Sequence, residues 1–149
     1  MNVTVKPKSL QNLKLYLKGG YKVNMDTPDL KYLFITGQVL ELNSIQSFDS
    51  IEEAVLYVEY LYLFEDLSRS QNALKFLYEL QNLRLLNLSK SILKAICVSP
   101  VMLTFPNLSK IRVFVDCYNN TPSSMITQVL FHLCGRCPNL EVVTIDELL

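Results

Sequence analysis

The residues in this sequence best suited to chemistry are two cysteines spaced as Cys134-x-x-Cys137. Cys117 and the lone histidine, His132, lie close to them in the chain. A structural zinc site needs four converging ligands, commonly supplied as two such pairs, and only one pair is present. On a helix, His132 would project about 160° away from Cys134, because successive residues are about 100° apart. We therefore interpret these cysteines, together with Cys97, as reduced structural thiols, with redox activity and metal binding as the weaker alternatives.

Nucleophilic catalysis lacks a suitable base. His132 is the only imidazole in the sequence, and its predicted place on the outer face of a helix does not direct it toward Cys137. Neither a glycine-rich phosphate loop nor a carboxylate pair suited to acid–base catalysis is visible. We predict a protein that is not an enzyme and that uses no cofactor and no metal.

Composition limits the class of protein and the kind of partner. Half of the 149 residues are apolar and 19% are charged, which favours a folded domain over disorder. Acidic and basic residues balance at 14 each, so no excess of positive charge attracts nucleic acid or an anionic membrane. No apolar stretch has the length of a signal peptide or of a membrane-spanning helix. These features predict a cytoplasmic or nuclear protein, in which reduced cysteines are the norm.

The most informative feature is an aliphatic phrase, L-x-x-L-x-L, that recurs at intervals of 20 to 32 residues. The phrase begins at Leu10, Leu30, Ile51, Leu83, Leu108 and Leu140. Its last three positions alternate with period two, which is typical of a strand that buries two aliphatic side chains and exposes the residue between them. The intervals bracket the range of leucine-rich repeats. The sequence therefore predicts one α/β domain over residues 1–149, a leucine-rich-repeat solenoid with a short-stranded parallel sheet on its concave side and helices or loops on its convex side.

Turn-forming pairs precede several of the predicted strands. The pairs are Gln11-Asn12, Pro28-Asp29, Gln81-Asn82, Pro106-Asn107 and Pro138-Asn139. In regular repeats of this type, an Asn or Cys eight residues after the start of each phrase satisfies the backbone of the turn. Those positions here hold Lys18, Gln38, Glu59, Ser91, Asp116 and Leu148. We therefore expect a solenoid of reduced regularity.

Helices are predicted in the two longest intervals between phrases. One follows Thr121 and Pro122 and ends at Gly135. Its apolar stripe consists of Met125, Ile126, Val129, Leu130, Leu133 and Cys134. The other covers residues 70–80 and buries Leu74, Leu77 and Leu80. The first two repeats are too short for a long helix, so their convex side is predicted to be irregular, with a turn at residues 18–21.

The candidate site is the outer side of the predicted strands. The residues between the inward aliphatics, and the next outward residues, form two adjacent rows on the concave surface. Tyr and Arg are enriched where protein interfaces carry their energy, so the aromatic and arginine members of these rows are predicted to contact a partner protein. They are Tyr16, Phe34, Tyr57, Arg112 and Phe114. Two alternatives remain open: these side chains pack against one another across the strands, or they cover a neighbouring domain.

Three segments resemble the plant F-box proteins with leucine-rich repeats, in the group that usually carries a C-terminal FBD domain. The segments are Thr27-Pro28-Asp29-Leu30-Lys31-Tyr32-Leu33-Phe34-Ile35, Phe105-Pro106-Asn107-Leu108-Ser109-Lys110-Ile111 and Cys137-Pro138-Asn139-Leu140-Glu141-Val142-Val143. The resemblance implies a substrate receptor of a cullin-based ubiquitin ligase, in which an F-box binds the Skp adaptor and the repeats capture the protein to be ubiquitinated.

The sequence departs from that family at both ends, because the residues before Leu10 cannot hold an F-box and nothing after Leu149 can hold an FBD domain. The Skp adaptor and the cullin are therefore expected as partners only if an F-box lies upstream. The alternative function is a truncated structural remnant of such a protein with no partner of its own. In either case the sequence ends soon after the last predicted strand. We therefore expect Val143, Ile145 and Leu148 to lack apolar cover.

Overall fold

The computed structural model describes residues 2–44, 48–60, 75–89, 92–93, 96, 104–116 and 123–148. Within these residues, parallel strands form one seven-stranded sheet in which each strand lies beside its neighbours in sequence. The strands are β1 (Asn2–Val5), β2 (Asn12–Met25), β3 (Tyr32–Ser44), β4 (Glu53–Tyr60), β5 (Leu85–Ser89), β6 (Lys110–Asp116) and β7 (Val142–Leu148). Helix α1 (Ser123–Cys134) connects β6 to β7. Sequential parallel pairing is the arrangement of a repeat solenoid, in which each repeat stacks on the one before it.

The aliphatic phrases lie side by side in register. Leu33 of β3 pairs with Leu13 of β2 and with Ala54 of β4, and the same line of pairs continues to β7. The residues at the second inward position are paired in the same way and are Leu15, Ile35, Leu56, Leu88, Val113 and Ile145. In β3 to β6, the side chains at both inward positions are at most 1% exposed. The parallel strands predicted from the phrases are therefore confirmed, and the phrases supply the core.

The same four-residue turn precedes six of the strands. The first residue of each phrase donates its N–H to the carbonyl three residues earlier, as Leu30 does to Thr27. The central pairs of these turns are Lys8-Ser9, Pro28-Asp29, Asp49-Ser50, Gln81-Asn82, Pro106-Asn107 and Pro138-Asn139. Pro suits the first central position because its φ is fixed, and Asn, Asp or Ser suits the second. The prediction is wrong for the first repeat, where Gln11 and Asn12 come after the turn and lead directly into β2.

A ladder of side-chain hydrogen bonds follows these turns. Ser50 Oγ donates to the carbonyl of Pro28 at 2.6 Å, and Asn139 Nδ2 donates to the carbonyl of Pro106 at 2.7 Å. Asn82 contacts the preceding turn in the same way. The side chains just before three of the phrases therefore bond to the backbone of the preceding turn, in place of a residue eight positions after the start of the phrase.

Strands β2 and β3 are longer than the phrases predict, because each turns a corner and continues as a second strand segment. The second half of β2 pairs with β1 on one side and with the second half of β3 on the other. We call the phrase-bearing segments the front row, which comprises residues 12–17, 32–37, 53–58, 85–89, 110–116 and 142–148. We call residues 2–5, 22–25 and 41–44 the back row. Val23 and Met25 of the back row belong to the same buried core as Leu33 of the front row.

The back row corrects the prediction for the first two repeats. Residues 18–21 do not leave the sheet as a turn but lie within β2, where the register with β3 shifts. Gly19 in this bulge and Gly37 in β3 have φ angles of +102° and +116°. Bulges bend a strand, and only glycine adopts such φ angles at little cost. The side opposite the front row is therefore regular in these repeats, and the prediction of an irregular convex side is wrong.

Helical residues occur in both predicted regions, although the second helix ends at residue 78 and not at residue 80. Helix α1 ends at Cys134, and the N–H of Gly135 donates to the carbonyl of Phe131. Leu130 and Leu133 are buried, whereas the side chains of the other apolar residues earlier in its stripe lie outside the described part of the chain. Residues 75–78 are helical and are followed by buried Leu80, but residues 70–74 lie outside the described residues. No helix among the described residues combines the length and the apolarity needed to cross a bilayer.

The last strand has less cover than the others. Val143 is 44% exposed and Ile145 is 46% exposed, although both occupy inward positions of the phrase. Their counterparts in β6, Ile111 and Val113, are 1% and 0% exposed. The expected lack of apolar cover at these two positions is confirmed; the side chain of Leu148 is not among those described.

The first residue of one of these turns is polar and buried. Thr27 is 5% exposed, and its Oγ1 has no hydrogen-bond partner among the described residues. The corresponding residues of later turns are buried and carry no hydroxyl: Phe48, Leu80, Phe105 and Cys137. An unsatisfied buried hydroxyl costs about 1–3 kcal/mol.

We expect Thr27→Val, which keeps the shape of the side chain and removes the hydroxyl, to raise the free energy of unfolding by about 1 kcal/mol. Urea denaturation measures the change. Thr27→Ala serves as the control, because it removes the hydroxyl but also leaves a cavity, and it should gain less than valine. A midpoint for the valine variant at or below that of the wild type would contradict the prediction.

Candidate functional site

The predicted contact residues lie on the outer side of the front row. Phe34 and Arg112 belong to one line of paired residues that runs from β2 to β7. Tyr16, Tyr57 and Phe114 belong to the adjacent line, two residues further along each strand. Successive residues of a strand point to opposite faces, so both lines face away from the core.

The structure brings the aromatic residues into one continuous strip. The ring centroids of Tyr16 and Phe34 are 5.4 Å apart, those of Phe34 and Tyr57 are 6.1 Å apart, and those of Tyr57 and Phe114 are 4.6 Å apart. These separations lie in the range of favourable aromatic pairs. We call Tyr16, Phe34, Tyr57 and Phe114 the aromatic strip; it spans β2 to β6.

The strip crosses β5 without an aromatic residue from that strand. Ser89 of β5 is paired with Phe114, and Asn87 two residues earlier forms a side-chain hydrogen bond with Tyr57. Because serine is small, the rings of Tyr57 and Phe114 meet above β5. The sequence placed Asn87 and Ser89 in the outward rows but gave no signal that they determine whether the strip is continuous.

A charged pair ends the strip at β7. Arg112 donates from Nε to Oδ2 of Asp146 and forms an ion pair with the same oxygen through Nη2, and its guanidinium carbon lies 5.1 Å from the centroid of the Phe114 ring. The two charged side chains are 49% and 31% exposed, so the pair contributes little to stability. Its main effect is to hold the guanidinium over the face of Phe114. Asp146 belongs to an outward row, but nothing in the sequence singled it out.

Burial within the strip affects Tyr57. Burial raises the pKa of the Tyr57 phenol, and the neighbouring positive charge of Arg112 is the largest opposing influence. The phenol is therefore neutral at neutral pH and can both donate and accept a hydrogen bond. Val55, which also points outward, is only 7% exposed and lies outside the core cluster. The side chains of the strip therefore shield part of their own strand face from water.

The strip nevertheless leaves a surface that a partner can reach. Tyr16 is 70% exposed, whereas Phe34, Tyr57 and Phe114 are each partly exposed. The ring contacts show that the aromatic residues do pack across the strands, as in one of the open alternatives. This packing fixes the rings in place before a partner arrives, which lowers the entropy cost of binding.

The cysteine pair has the environment of structural thiols. Cys137 is 3% exposed and belongs to the core, and Cys134 is half-buried. Burial raises the pKa of both thiols, so they are protonated at neutral pH, and a protonated thiol is a poor nucleophile. No group of three metal-ligating side chains occurs among the residues whose side chains are described. Cys97, Cys117 and the side chain of His132 lie outside them.

A polar groove of about 430 Å³ follows the turns at the other end of the strands. Its lining includes Lys31 and Arg84 but also Asp49 and Glu52, so the charges balance. The asparagine amides in the groove are already bonded to neighbouring turns. The groove is therefore better explained by the turn ladder than by a ligand.

Comparisons with protein-family models, with curated protein sequences and with solved structures found no match for this chain. The fold and the site together define a repeat solenoid with parallel strands and an aromatic strip on the outer face of its front row.

Proposed function

We propose that this chain is a protein-binding module without enzymatic activity and that its partner contacts the aromatic strip together with Arg112. The single observation that carries the proposal is the continuous line of contacts from Tyr16 to Asp146, assembled from repeats that are far apart in sequence. Solvent-facing positions of a sheet are ordinarily polar, and aromatic residues with arginine are enriched at protein interfaces. A row of preorganised rings ending in a charged pair matches the anchors found in such interfaces.

The finer proposal is that the solenoid is of the leucine-rich-repeat type, with helices on its convex side, and that it acts like the substrate-recognition region of plant F-box proteins. It rests on the three segments quoted above and on the repeated phrase. In that setting the partner is a protein to be ubiquitinated. The Skp adaptor and the cullin join only if an F-box lies upstream. Neither nucleic acid nor a membrane is proposed as a partner, and the proposed location is the cytoplasm or the nucleus.

Affinity capture from plant extract tests the proposal. The bait with Tyr57→Ala and Arg112→Ala should lose the proteins that the wild-type bait retains, because interface anchors of this kind cost about 2 kcal/mol or more each when truncated. Quantitative mass spectrometry of the captured proteins measures the loss.

The matched control is Phe131→Ala, since Phe131 is 79% exposed on α1 and lies outside the strip. It should retain the same proteins as the wild type. Identical protein lists from the double variant and the wild type would remove the strip from consideration as the binding surface.

The second candidate function is a structural remnant without an independent partner. The observation that favours it is the exposure of Val143 and Ile145, whose counterparts in other strands are buried. A remnant would melt without cooperativity or aggregate, and added downstream sequence would rescue it. A soluble chain with one cooperative thermal transition favours the binding module.

A further inference from the structure

The two edges of the described sheet are of complementary kinds. At one end, β7 is a front-row strand, and no described back-row segment follows it. At the other end, β1 is a back-row strand that no described front-row segment precedes. Beside β1, the outer edge of residues 12–17 pairs with no described strand. A front-row strand placed against this edge would pair with residues 12–17.

We propose that β7 of one copy pairs in parallel with residues 12–17 of a second copy, so that the chain associates head to tail. The proposal does not depend on the function assigned to the aromatic strip. In this arrangement β7 and β1 of the second copy together complete one turn of the solenoid. A dimer formed in this way still presents one described sheet edge of each kind, so association continues into longer assemblies.

The apolar side chains at the two ends fit this register. Continuing the line of pairs beyond β7 places Val143 beside Leu13 and Ile145 beside Leu15. Val143 and Ile145 are 44% and 46% exposed, and Leu13 and Leu15 are only partly buried. Their counterparts between the ends are almost fully buried by a strand on each side. The second copy supplies the missing strand to both ends.

The backbone groups of the two ends also match. Within the chain, the carbonyl of Ser109 accepts the N–H groups of Glu141 and Val142 at 2.8 and 3.1 Å. The corresponding groups at the proposed interface are the carbonyl of Glu141 and the N–H groups of Gln11 and Asn12. The interface therefore repeats a hydrogen-bond pattern that already joins five pairs of neighbouring repeats.

The turn ladder continues across the same interface. Ser9 occupies the turn position that Ser50 holds two repeats later, and Ser50 Oγ donates to the carbonyl of Pro28. In the proposed register, the hydroxyl of Ser9 faces the carbonyl of Pro138 in the other copy. One end therefore supplies the donor of this hydrogen bond, and the other end supplies the acceptor.

The charges of the two ends are opposite. Residues 2–25 contain five lysines and no acidic residue, whereas residues 137–148 contain three acidic residues and no basic one. In the proposed register, exposed Lys14 lies diagonally across from Asp146, on the side opposite Arg112. Unlike charges steer the unlike ends together and disfavour like-end contacts.

The path of the chain is also consistent with a shared repeat. Continuing the register places Leu148 beside Lys18, just before the corner of β2. Asn2 of the second copy is paired with Lys22, just after that corner. The end of β7 and the start of β1 would therefore be separated by about one corner, as the two halves of β2 are.

Sedimentation velocity of the full chain tests the proposal. The wild type should shift from monomer to dimer and larger species as its concentration rises, and added salt should weaken the association. Ile145→Lys should prevent β7 from pairing with a second copy. Asn12→Pro should prevent pairing at residues 12–17, because it removes an N–H that points away from β3. Each variant alone should lose association, whereas an equal mixture should form a dimer and stop there, because each variant keeps the end that the other lacks.

Phe131→Lys is the matched control, since it places the same charge on another exposed apolar residue and should associate like the wild type. Circular dichroism verifies the fold of every variant, and Val143→Lys and Lys14→Glu close the same two ends if either variant is unfolded. A wild type that stays monomeric at all concentrations, or a mixture that does, would overturn the proposal. Association that survives in a single-end variant would place the contact on another surface and overturn it equally.

Discussion

Gly37→Ala is expected to lower the free energy of unfolding by more than about 3 kcal/mol. Gly37 has a φ of +116°, and a Cβ at this position would lie 1.8 Å from the carbonyl oxygen of Leu17. The obstacle is backbone from the neighbouring strand, which cannot rotate away as a side chain can. Urea or thermal denaturation of the purified variant measures the loss, and we expect little folded protein at physiological temperature.

Gly19→Ala is the matched control for this effect. Gly19 has a similar φ of +102°, but no heavy atom lies within 4 Å of the Cβ that alanine would add. The substitution should therefore cost only the conformational penalty of about 1–2 kcal/mol. Equal losses in the two variants would show that the close approach of β2 to β3 is not what requires glycine at position 37.

Leu86→Ala is expected to lower the free energy of unfolding by about 2–5 kcal/mol. Leu86 is fully buried at the first inward position of β5 and is paired with Ala54 on one side and Ile111 on the other. Both neighbouring strands hold their positions through the backbone ladder, so the cavity cannot readily collapse. Chemical denaturation at a low protein concentration measures the loss.

Ile145→Ala is the corresponding substitution at an inward position of the last strand. Because Ile145 is 46% exposed, we expect a loss of about 1 kcal/mol, well below that of Leu86→Ala. Comparing the two losses of stability shows whether the loss depends on the inward position in the phrase or on the place of the strand in the sheet. Equal losses would contradict the conclusion that β7 has less apolar cover than the interior strands.

The spacing of aliphatic residues predicted the front row correctly, because alternation with period two leaves a strand only one way to bury its apolar face. Pro and Asn before the phrases predicted most of the turns for an equally local reason. The back row could not be found in this way. Its residues 22–25 and 41–44 follow the phrases in chain order, and their partner β1 contains only two aliphatic residues, Val3 and Val5.

The candidate site was predicted in part. Outward positions follow from the phase of each strand, so Tyr16, Phe34, Tyr57, Arg112 and Phe114 could be selected from the sequence. Their contact with one another could not, since it depends on the register between strands and on the size of the residues that separate them. Ser89 and Asp146 acquire their importance only from what lies beside them on the neighbouring strands.

The sequence by itself determined the period of the repeat, the residues that enter the core and the location of most turns, because these depend on interactions over a few residues. The tertiary structure alone decided that β2 and β3 turn a corner at glycine, that the aromatic residues join into one strip and that the described sheet has a back-row strand at one edge and a front-row strand at the other. Each of these depends on which strands become neighbours, and pairing between strands is set by packing across distances that no local pattern records.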